Sequence, residues 1–531
     1  MATITRLSVR NFKMLREFDL ELDSTLNILV GKNDSGKSTI LEAVNLALTG
    51  RLNGRPFAQE LSPYLVNSGA VADYVAALKT NPKATPPEVI IEVEFADDDS
   101  TAFLRGMNNL RGADACGIRI CASMSVAFID EYSRLVASPG EVRLAPTEYY
   151  TVDWLGFNGN AIGSRSVPVR VSLIDASAIR AQSGIDQHLQ QAVQAFLDPA
   201  ERVELSREYR SLREQFSEKA PVRAINEKLQ ATSSGVSDRA LTMALDLSQR
   251  STWETSIVAH LDEIPFALIG KGEQNVLKIL FALVQRAATS NVVLIEEPEA
   301  HLSFALLNVL MRRIGDNAGA KQLIASTHST FIANKLGLEH LVCLGGSHPT
   351  RLHALEDGTV QFFRRLPGYD TLRLVLASGA LLVEGPSDEL VVQRAYLDKH
   401  GKLPLENGID VISVGLSHKR FLELAIPLQR RVWVITDNDG KTLSEVGRRF
   451  EGYLNTHITL HTCDDPALRT LEPAIVAANS LGDLNAVLSC DFSTKEEALE
   501  YMSENKTEGA LAIFAAEASL VMPAYIASAI A

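Results

Sequence analysis

Short apolar runs separated by polar and turn residues dominate the first third of the chain and predict strands. Leu7-Ser8-Val9-Arg10-Asn11-Phe12 alternates with the period of a half-buried strand, and Leu20-Glu21-Leu22 continues the pattern. Leu26-Asn27-Ile28-Leu29-Val30 reads as a buried strand, and residues 39–48 as a helix. Residues 50–85, rich in Gly, Pro, Asn and Ala, show no clear periodicity, whereas 89–95 alternates as a strand; strand-like runs follow at 117–121, 134–136 and 167–173. From about 180 to 261 the period changes. Leu189, Val193, Phe196 and Leu197 recur at three and four, and Glu and Arg interleave through 201–218, so a helical layer with a solvated, charge-laced face is expected. A helix over 276–284 and strands over 292–295 and 322–325 follow. Beyond a link around 363–377, strands at 380–383, 411–414 and 432–435 alternate with helices at 389–400 and 419–426, the pattern of a parallel α/β unit. The apolar tail, 510–531, is interrupted by Glu517 and Pro523 and reads as a packed terminal helix.

Composition changes this picture little. The 531 residues allow three or four domains, and 46% apolar with 22% charged residues is ordinary for a globular protein. Five cysteines lack metal-ligand spacing or a disulfide framework, which favours a reducing cytosol, and residues 1–6 lack a signal-peptide run; a cytoplasmic protein without membrane attachment is expected. A net charge of −14 argues against general nucleic-acid affinity but is compatible with a local basic groove.

Candidate chemistry sits at strand ends. Gly31-Lys32-Asn33-Asp34-Ser35-Gly36-Lys37-Ser38 follows a strand, opens a helix and fits G-x-x-x-x-G-K-[ST]. Glycines let successive N–H groups face phosphate oxygens, Lys37 reaches the β- and γ-phosphates and Ser38 coordinates Mg²⁺. Strand 292–295 runs into Glu296 and Glu297, one carboxylate for Mg²⁺ and one to polarise water. Strand 322–325 ends near His328, which at that place could contact a γ-phosphate. In the last third, Glu384 and Asp388 follow one strand, and Asp437 and Asp439 follow another. Sites form beyond the carboxyl ends of such strands, so the four oxygen donors are expected to converge and to suit Mg²⁺ or Mn²⁺. Singly, helix capping by Asp388 and a plain Asp-Asn-Asp turn are the simpler readings.

Residues 1 to about 345 resemble the ATP-binding cassette heads of SMC and RecF-like ATPases. The resemblance sets 31–38 as Walker A (Asn33, Gly36, Lys37, Ser38, Thr39), 270–274 as the signature (Gly272, Gln274), Glu296 and Glu297 as the Walker B end and His328 as the switch histidine. The signature departs from the pattern, with Lys271 near its usual serine, and Glu296 stands for the usual aspartate. The last third resembles a Toprim domain, and a cassette ATPase ahead of Toprim is similar to the OLD (overcoming lysogenisation defect) nucleases, with the Gabija nuclease subunit as a relative. The likeness implies an α/β protein: an ABC-type P-loop head at 1–179 and 262–375, a helical insertion at 180–261 for dimerisation, and a Rossmann-like Toprim domain at 376–531. It also implies catalytic Glu384, Asp388, Asp437 and Asp439, joined by Glu472 and by a late lysine, Lys506 or its competitor Lys495.

By that likeness the chain is an ATP-regulated DNA endonuclease of antiphage defence, using ATP and Mg²⁺, with Mn²⁺ or Ca²⁺ as substitutes at the nuclease site. Its expected partners are DNA (RNA not excluded), further copies of itself, and an accessory defence protein or non-coding RNA. A RecF-like DNA sensor without nuclease activity and a Toprim ribonuclease acting on tRNA are the alternatives.

Overall fold

The computed structural model describes residues 2–531 except 82, 138–141, 176–196, 234–240, 246–252, 254–259, 285–290, 318–320, 346–347, 353–354 and 366–370. The chain divides into two compact units, one of residues 1–26 and 38–325, the other of 27–37 and 326–531.

In the first unit an antiparallel sheet runs in the order Leu15–Glu21, Ile4–Phe12, Val89–Phe95, Ala115–Met124, Arg105–Gly106, and Tyr150–Gly156 also pairs with Ala115–Met124. The register brings Leu7 opposite Val93 and Ile91 opposite Ile120, all buried, so alternate residues of neighbouring strands share one core face. Val171–Asp175 and Val292–Glu296 pair in parallel, and Val292 through Ile295 are fully buried, as expected for a strand covered on both faces.

Two expectations are corrected here. Residues 134–136 end a helix, Ile129–Val136, whose Tyr132 and Val136, four apart, are its buried pair. The stretch without visible period holds helix Ser68–Leu78, with Ala70, Val71, Tyr74 and Leu78 inward and Asn67 Oδ1 accepting from the Gly69 and Ala70 N–H groups. In the expected helical layer, helices Pro199–Ser217 and Ala220–Ser233 are present. The first starts with a capping box between Asp198 and Glu201 and Pro199 at its opening position. Leu189, Val193 and Phe196 lie outside the described residues.

In the second unit Leu341–Leu344 pairs in parallel with the strand before the glycine loop, Leu344 opposite Gly31. A separate four-stranded parallel sheet has the order Ile409–Ser413, Gly379–Val383, Arg431–Ile435, Ile458–His461. The chain passes from the first of these strands in sequence to a neighbour on one side, then crosses to the other. That reversal makes a crevice at the carboxyl ends of Gly379–Val383 and Arg431–Ile435.

Helices after residue 470 pack a core around Ile475, Leu484, Ala498 and Ile526. The tail forms two helices, Lys506–Ala515 and Ala524–Ala529, where one was expected. Between them the backbone turns back: Arg394 donates to the Ile513, Phe514 and Ala518 carbonyls, and Asn479 bonds Val521 through both its N–H and C=O. No helix of the described residues is long and apolar enough to cross a membrane.

Candidate functional site

The glycine loop is shaped for a ligand's phosphates. A Cβ at Gly31 would fall 2.3 Å from Ser35 Oγ and 2.9 Å from the Leu344 carbonyl oxygen, so only glycine fits. Gly36 takes φ +95°, where glycine is favoured. Ser35 Oγ is buried without a hydrogen-bond partner, and such an orphan in a nest of backbone amides suits a phosphate oxygen. The Lys37 ammonium is buried and donates to the Gly31 and Lys32 carbonyls, 2.9 Å each. Asn33 is exposed and Thr39 buried. Thr327 N–H bonds the Leu29 carbonyl at 3.1 Å, which brings the segment bearing the exposed His328 beside the loop's own strand.

In the other unit the loop helix carries Ser38, whose hydroxyl hydrogen-bonds Glu296. Burial raises the Glu296 carboxyl, the Ser38 bond opposes that, and Asp175, Glu42 and Glu297 add to it. Asp175, absent from the expected set, ends its strand directly opposite Glu296 in the parallel register. The end of an apolar strand at 167–173 was its one sequence signal. Glu297 takes φ +44°, an uncommon conformation for a side chain with a Cβ, which turns the backbone sharply past the strand end.

The 270–274 segment opens helix Lys271–Val284, and a Cβ at Gly272 would meet the His301 carbonyl oxygen at 2.3 Å. Gln274 is buried and donates to the Phe266 and Ile269 carbonyls at 2.9 and 3.0 Å, so its side chain shapes the loop that opens the helix.

The second cluster stands at the crevice of the parallel sheet. Glu384 accepts from the Thr436 hydroxyl and, at 3.1 Å, from the Asp437 N–H. Asp388 accepts from the Gly385 N–H at 2.9 Å, so the simple capping reading holds, yet it also faces Glu384 and Glu472. Burial first, then these two carboxylates, push Asp388 up to about 6. Asp437 is pushed up to about 8, by burial and by Asp388, Glu384 and Glu472, with Lys506 opposing. Glu472, buried, accepts from the Thr470 hydroxyl at 2.7 Å and lies 3.2 Å from the Lys506 ammonium.

This geometry separates the two candidate lysines: Lys495 donates to the Val476 carbonyl at a helix end, and Lys506 pairs with the cluster. Asp439 stands apart from the others. Its side chain is 54% exposed, its φ is +52° and its neighbour is Arg449 at 3.8 Å. Tyr525, which the sequence reading passed over, is buried, and the charges of Asp437 and Asp388 raise its hydroxyl further than burial alone. Among the described residues no three His, Cys, Asp or Glu side chains stand in a ready-made metal-binding arrangement, although Glu384, Asp388, Asp437 and Glu472 lie close enough for their charges to push the Asp388 and Asp437 carboxyls up.

Comparison with known proteins follows the same division. An AAA-domain family matches residues 6–233, a second AAA-domain family, described with the AbiEii toxin of a type IV toxin–antitoxin system, matches 257–334, and the Toprim domain of overcoming-lysogenisation-defect-like proteins matches 375–439. The DNA replication and repair protein RecF of Thioalkalivibrio sulfidiphilus is 32% identical over 105 residues, 20% of this chain and 28% of that protein. RecF of Pasteurella multocida is 51% identical over 41 residues, 8% and 12% of the two chains. The chain thus spans less than a third of the curated relatives it matches. Among solved structures, the Smc head domain with an extended coiled coil from Pyrococcus furiosus is 14% identical, covering 62% of this chain and 90% of that one at a TM-score of 0.35. That from Pyrococcus yayanosii is 11% identical, covering 69% and 100%, also at 0.35. The chain is therefore a mixed α/β protein that carries AAA ATPase domains followed by an OLD-like Toprim domain, an order consistent with the OLD family of ATPase–Toprim nucleases.

Proposed function

We propose that this chain is an ATP-regulated, divalent-metal-dependent DNA endonuclease that acts in antiphage defence. The observation that supports it most is the half-buried set Glu384, Asp388 and Asp437 with Lys506 and the buried Glu472, at a strand crossover inside a segment that begins with an OLD-like Toprim match. The donor set is all carboxylate oxygen and already crowded in charge, which suits Mg²⁺ or Mn²⁺. Glu384, Asp388, Asp437 and Glu472 would hold the metal, with Asp439 joining from the rim. A divalent ion bound there supplies Lewis acidity toward a phosphodiester and an acidified water. Lys506, on Glu472, would offset charge that develops on the phosphoryl oxygens.

On the nucleotide side Gly36, Lys37 and the orphan Ser35 hydroxyl would cradle ATP phosphates, with Asn33 and Thr39 flanking the cradle. Ser38 and Glu296 would face Mg²⁺, His328 would contact the γ-phosphate, and Gly272 and Gln274 would hold the segment that meets a second copy in a homodimer. Glu297 would take the proton from the attacking water. Glu297→Gln keeps size and hydrogen bonding while removing the acceptor, so single-turnover ATP hydrolysis should fall ~10²–10⁴-fold with ATP still retained. Fast hydrolysis by that variant would move the base to another carboxylate.

The crowded carboxylates also predict a pH effect. Asp388 and Asp437 titrate in the fold above the unfolded value of about 3.9. Their contribution is therefore complete below about pH 4 and is progressively lost as pH rises through about 6 for Asp388 and about 8 for Asp437. The Tm of metal-free protein should fall across that range, by about 2–4 °C for each kcal/mol of linkage. Asp437→Asn or saturating Mg²⁺ should flatten the profile. A level profile in metal-free wild type would contradict the crowding.

The assay for the whole reading is purified protein with supercoiled DNA or tRNA, with Mg²⁺ or Mn²⁺, with and without ATP. The RecF matches favour a second reading, a DNA-binding ATPase that does not cut. Binding without nicking under every metal condition would select it, and cutting of tRNA alone would select a ribonuclease.

A further inference from the structure

The segment that bears His328 leads directly into helix Thr330–Leu336. Thr327 N–H is tied to Leu29, on the strand that enters the glycine loop, and Ser329 N–H donates to Thr327 Oγ1 at 2.9 Å. The Ser329 hydroxyl then caps the helix at the Ile332 N–H. A γ-phosphate held by His328 therefore acts at the start of this helix. Near its end Asn334 Oδ1 accepts from the Thr371 hydroxyl at 2.5 Å, and both residues are 0% exposed. Apolar side chains would pack two helices without desolvating polar groups, whereas a buried amide–hydroxyl pair fixes one relative position.

Thr371 opens a short helix, Thr371–Leu376, whose Leu372, Leu374 and Val375 are buried and whose polar groups reach the Toprim sheet. Arg373 donates to both oxygens of Asp410, at 3.0 and 2.6 Å, to the Val411 carbonyl at 2.7 Å and to Glu389 at 3.2 Å. Glu389 follows Asp388 on one helix, and Asp410 and Val411 lie on the strand paired with Gly379–Val383, which ends at Glu384. At the far end the Val375 carbonyl accepts from Arg430 at 2.9 Å, immediately before the strand that leads to Asp437. The helix thus grips the elements that present Asp388 and Asp437, and the neighbour of the one that presents Glu384. A planar guanidinium fork passes on a displacement as a rigid part. Packed interiors shift between discrete arrangements rather than deform continuously, so a movement of helix Thr330–Leu336 carries this one with it.

We propose that helix Thr371–Leu376 relays the nucleotide state from His328 to the carboxylate cluster, with Thr371 as its input and Arg373 as a positioning residue for Asp388. This rests on the ATP-regulated nuclease reading above and names the part through which that regulation runs. Activation and restraint by ATP use the same contacts.

Two ratios are measured on the full chain: nicking of supercoiled DNA with and without ATP, and affinity for a fluorescent ATP analogue with and without an oligonucleotide. If ATP changes the hold on nucleic acid, nucleic acid must change the hold on ATP by the same factor, usually about 5–150-fold. Thr371→Val keeps the shape and loses the hydroxyl, so it should bring both ratios toward one by about 2–30-fold. ATP hydrolysis and nicking without ATP should stay near wild type in that variant. Thr371→Ser, which retains the hydroxyl, should keep the wild-type response; a merely structural role would leave the response intact in both. Arg373→Gln, at a half-buried position, should uncouple the two sites as well and lower nicking in both conditions, with Arg373→Lys recovering part. Melting curves show which variants fold, and the Arg373 pair carries the test should Thr371→Val not fold. Wild-type ratios in Thr371→Val and Arg373→Gln would overturn the proposal, as would a wild type that responds in neither assay. A wild type that never nicks, but whose ATP affinity responds to the oligonucleotide and loses that response in the variants, would keep the relay and remove the nuclease reading instead.

Discussion

Asp437→Ala is expected to lower nucleic-acid cleavage by about 10²–10³-fold, the size of effect when one preorganised group is taken from a transition-state site. ATP hydrolysis should stay nearly unchanged, since Asp437 belongs to the Toprim sheet and to none of the nucleotide motifs. The geometry ranks this position above Asp439, although both lie in one Asp-Asn-Asp run. Asp437 is partly buried and feels Asp388, Glu384, Glu472 and Lys506, whereas Asp439 is exposed beside Arg449. Asp439→Ala should therefore cost less than Asp437→Ala at saturating metal and recover partly as Mn²⁺ is raised. Both activities are measured on one preparation of each variant. Cleavage by Asp437→Ala at the wild-type rate, with Mg²⁺ and Mn²⁺ both saturating, would end the assignment of this cluster as a nuclease site.

That ranking could not be read from the chain, and the reason is local. Strand ends are legible because a run such as Val292-Val293-Leu294-Ile295 is buried on both faces and stops where carboxylates begin. The alternation after residue 380 is equally plain, so it alone places Glu384, Asp388 and Asp437 at one sheet edge. Orientation within a loop is another matter. Asp439 turns outward through a left-handed backbone conformation that Asp adopts in some turns and avoids in others. Asp175 was hidden because its partner in register, Glu296, lies more than a hundred residues away. Tyr525 reaches the cluster only because the tail doubles back on Arg394 and Asn479, contacts without local pattern. Helix Ser68–Leu78 was missed in a Gly- and Pro-rich stretch where composition masked the spacing of Val71, Tyr74 and Leu78. Lys495 and Lys506 looked alike in sequence, and a 3.2 Å approach to Glu472 tells them apart.

Lys37→Ala carries the second large effect. In this structure the ammonium is buried and donates to the Gly31 and Lys32 carbonyls, so it braces the start of the loop. A bound triphosphate would offer it charged oxygens in their place, and a hydrogen bond to a charged group is worth about 1.5–3 kcal/mol. Loss of the side chain should weaken ATP binding roughly 10–200-fold at about 1.4 kcal/mol per decade, and it leaves the β- and γ-phosphates without their close cation. Hydrolysis should fall below detection at ATP concentrations that saturate wild type. Equilibrium binding of a fluorescent ATP analogue and phosphate release together measure this. The same variant reads the coupling between the two chemistries. Cleavage that no longer responds to ATP and stays high would mean that the nucleotide domain restrains the Toprim site. Cleavage that disappears with ATP binding would mean that the domain activates it. Normal ATP turnover in Lys37→Ala would refute the nucleotide role of the loop, whatever the cleavage assay then showed.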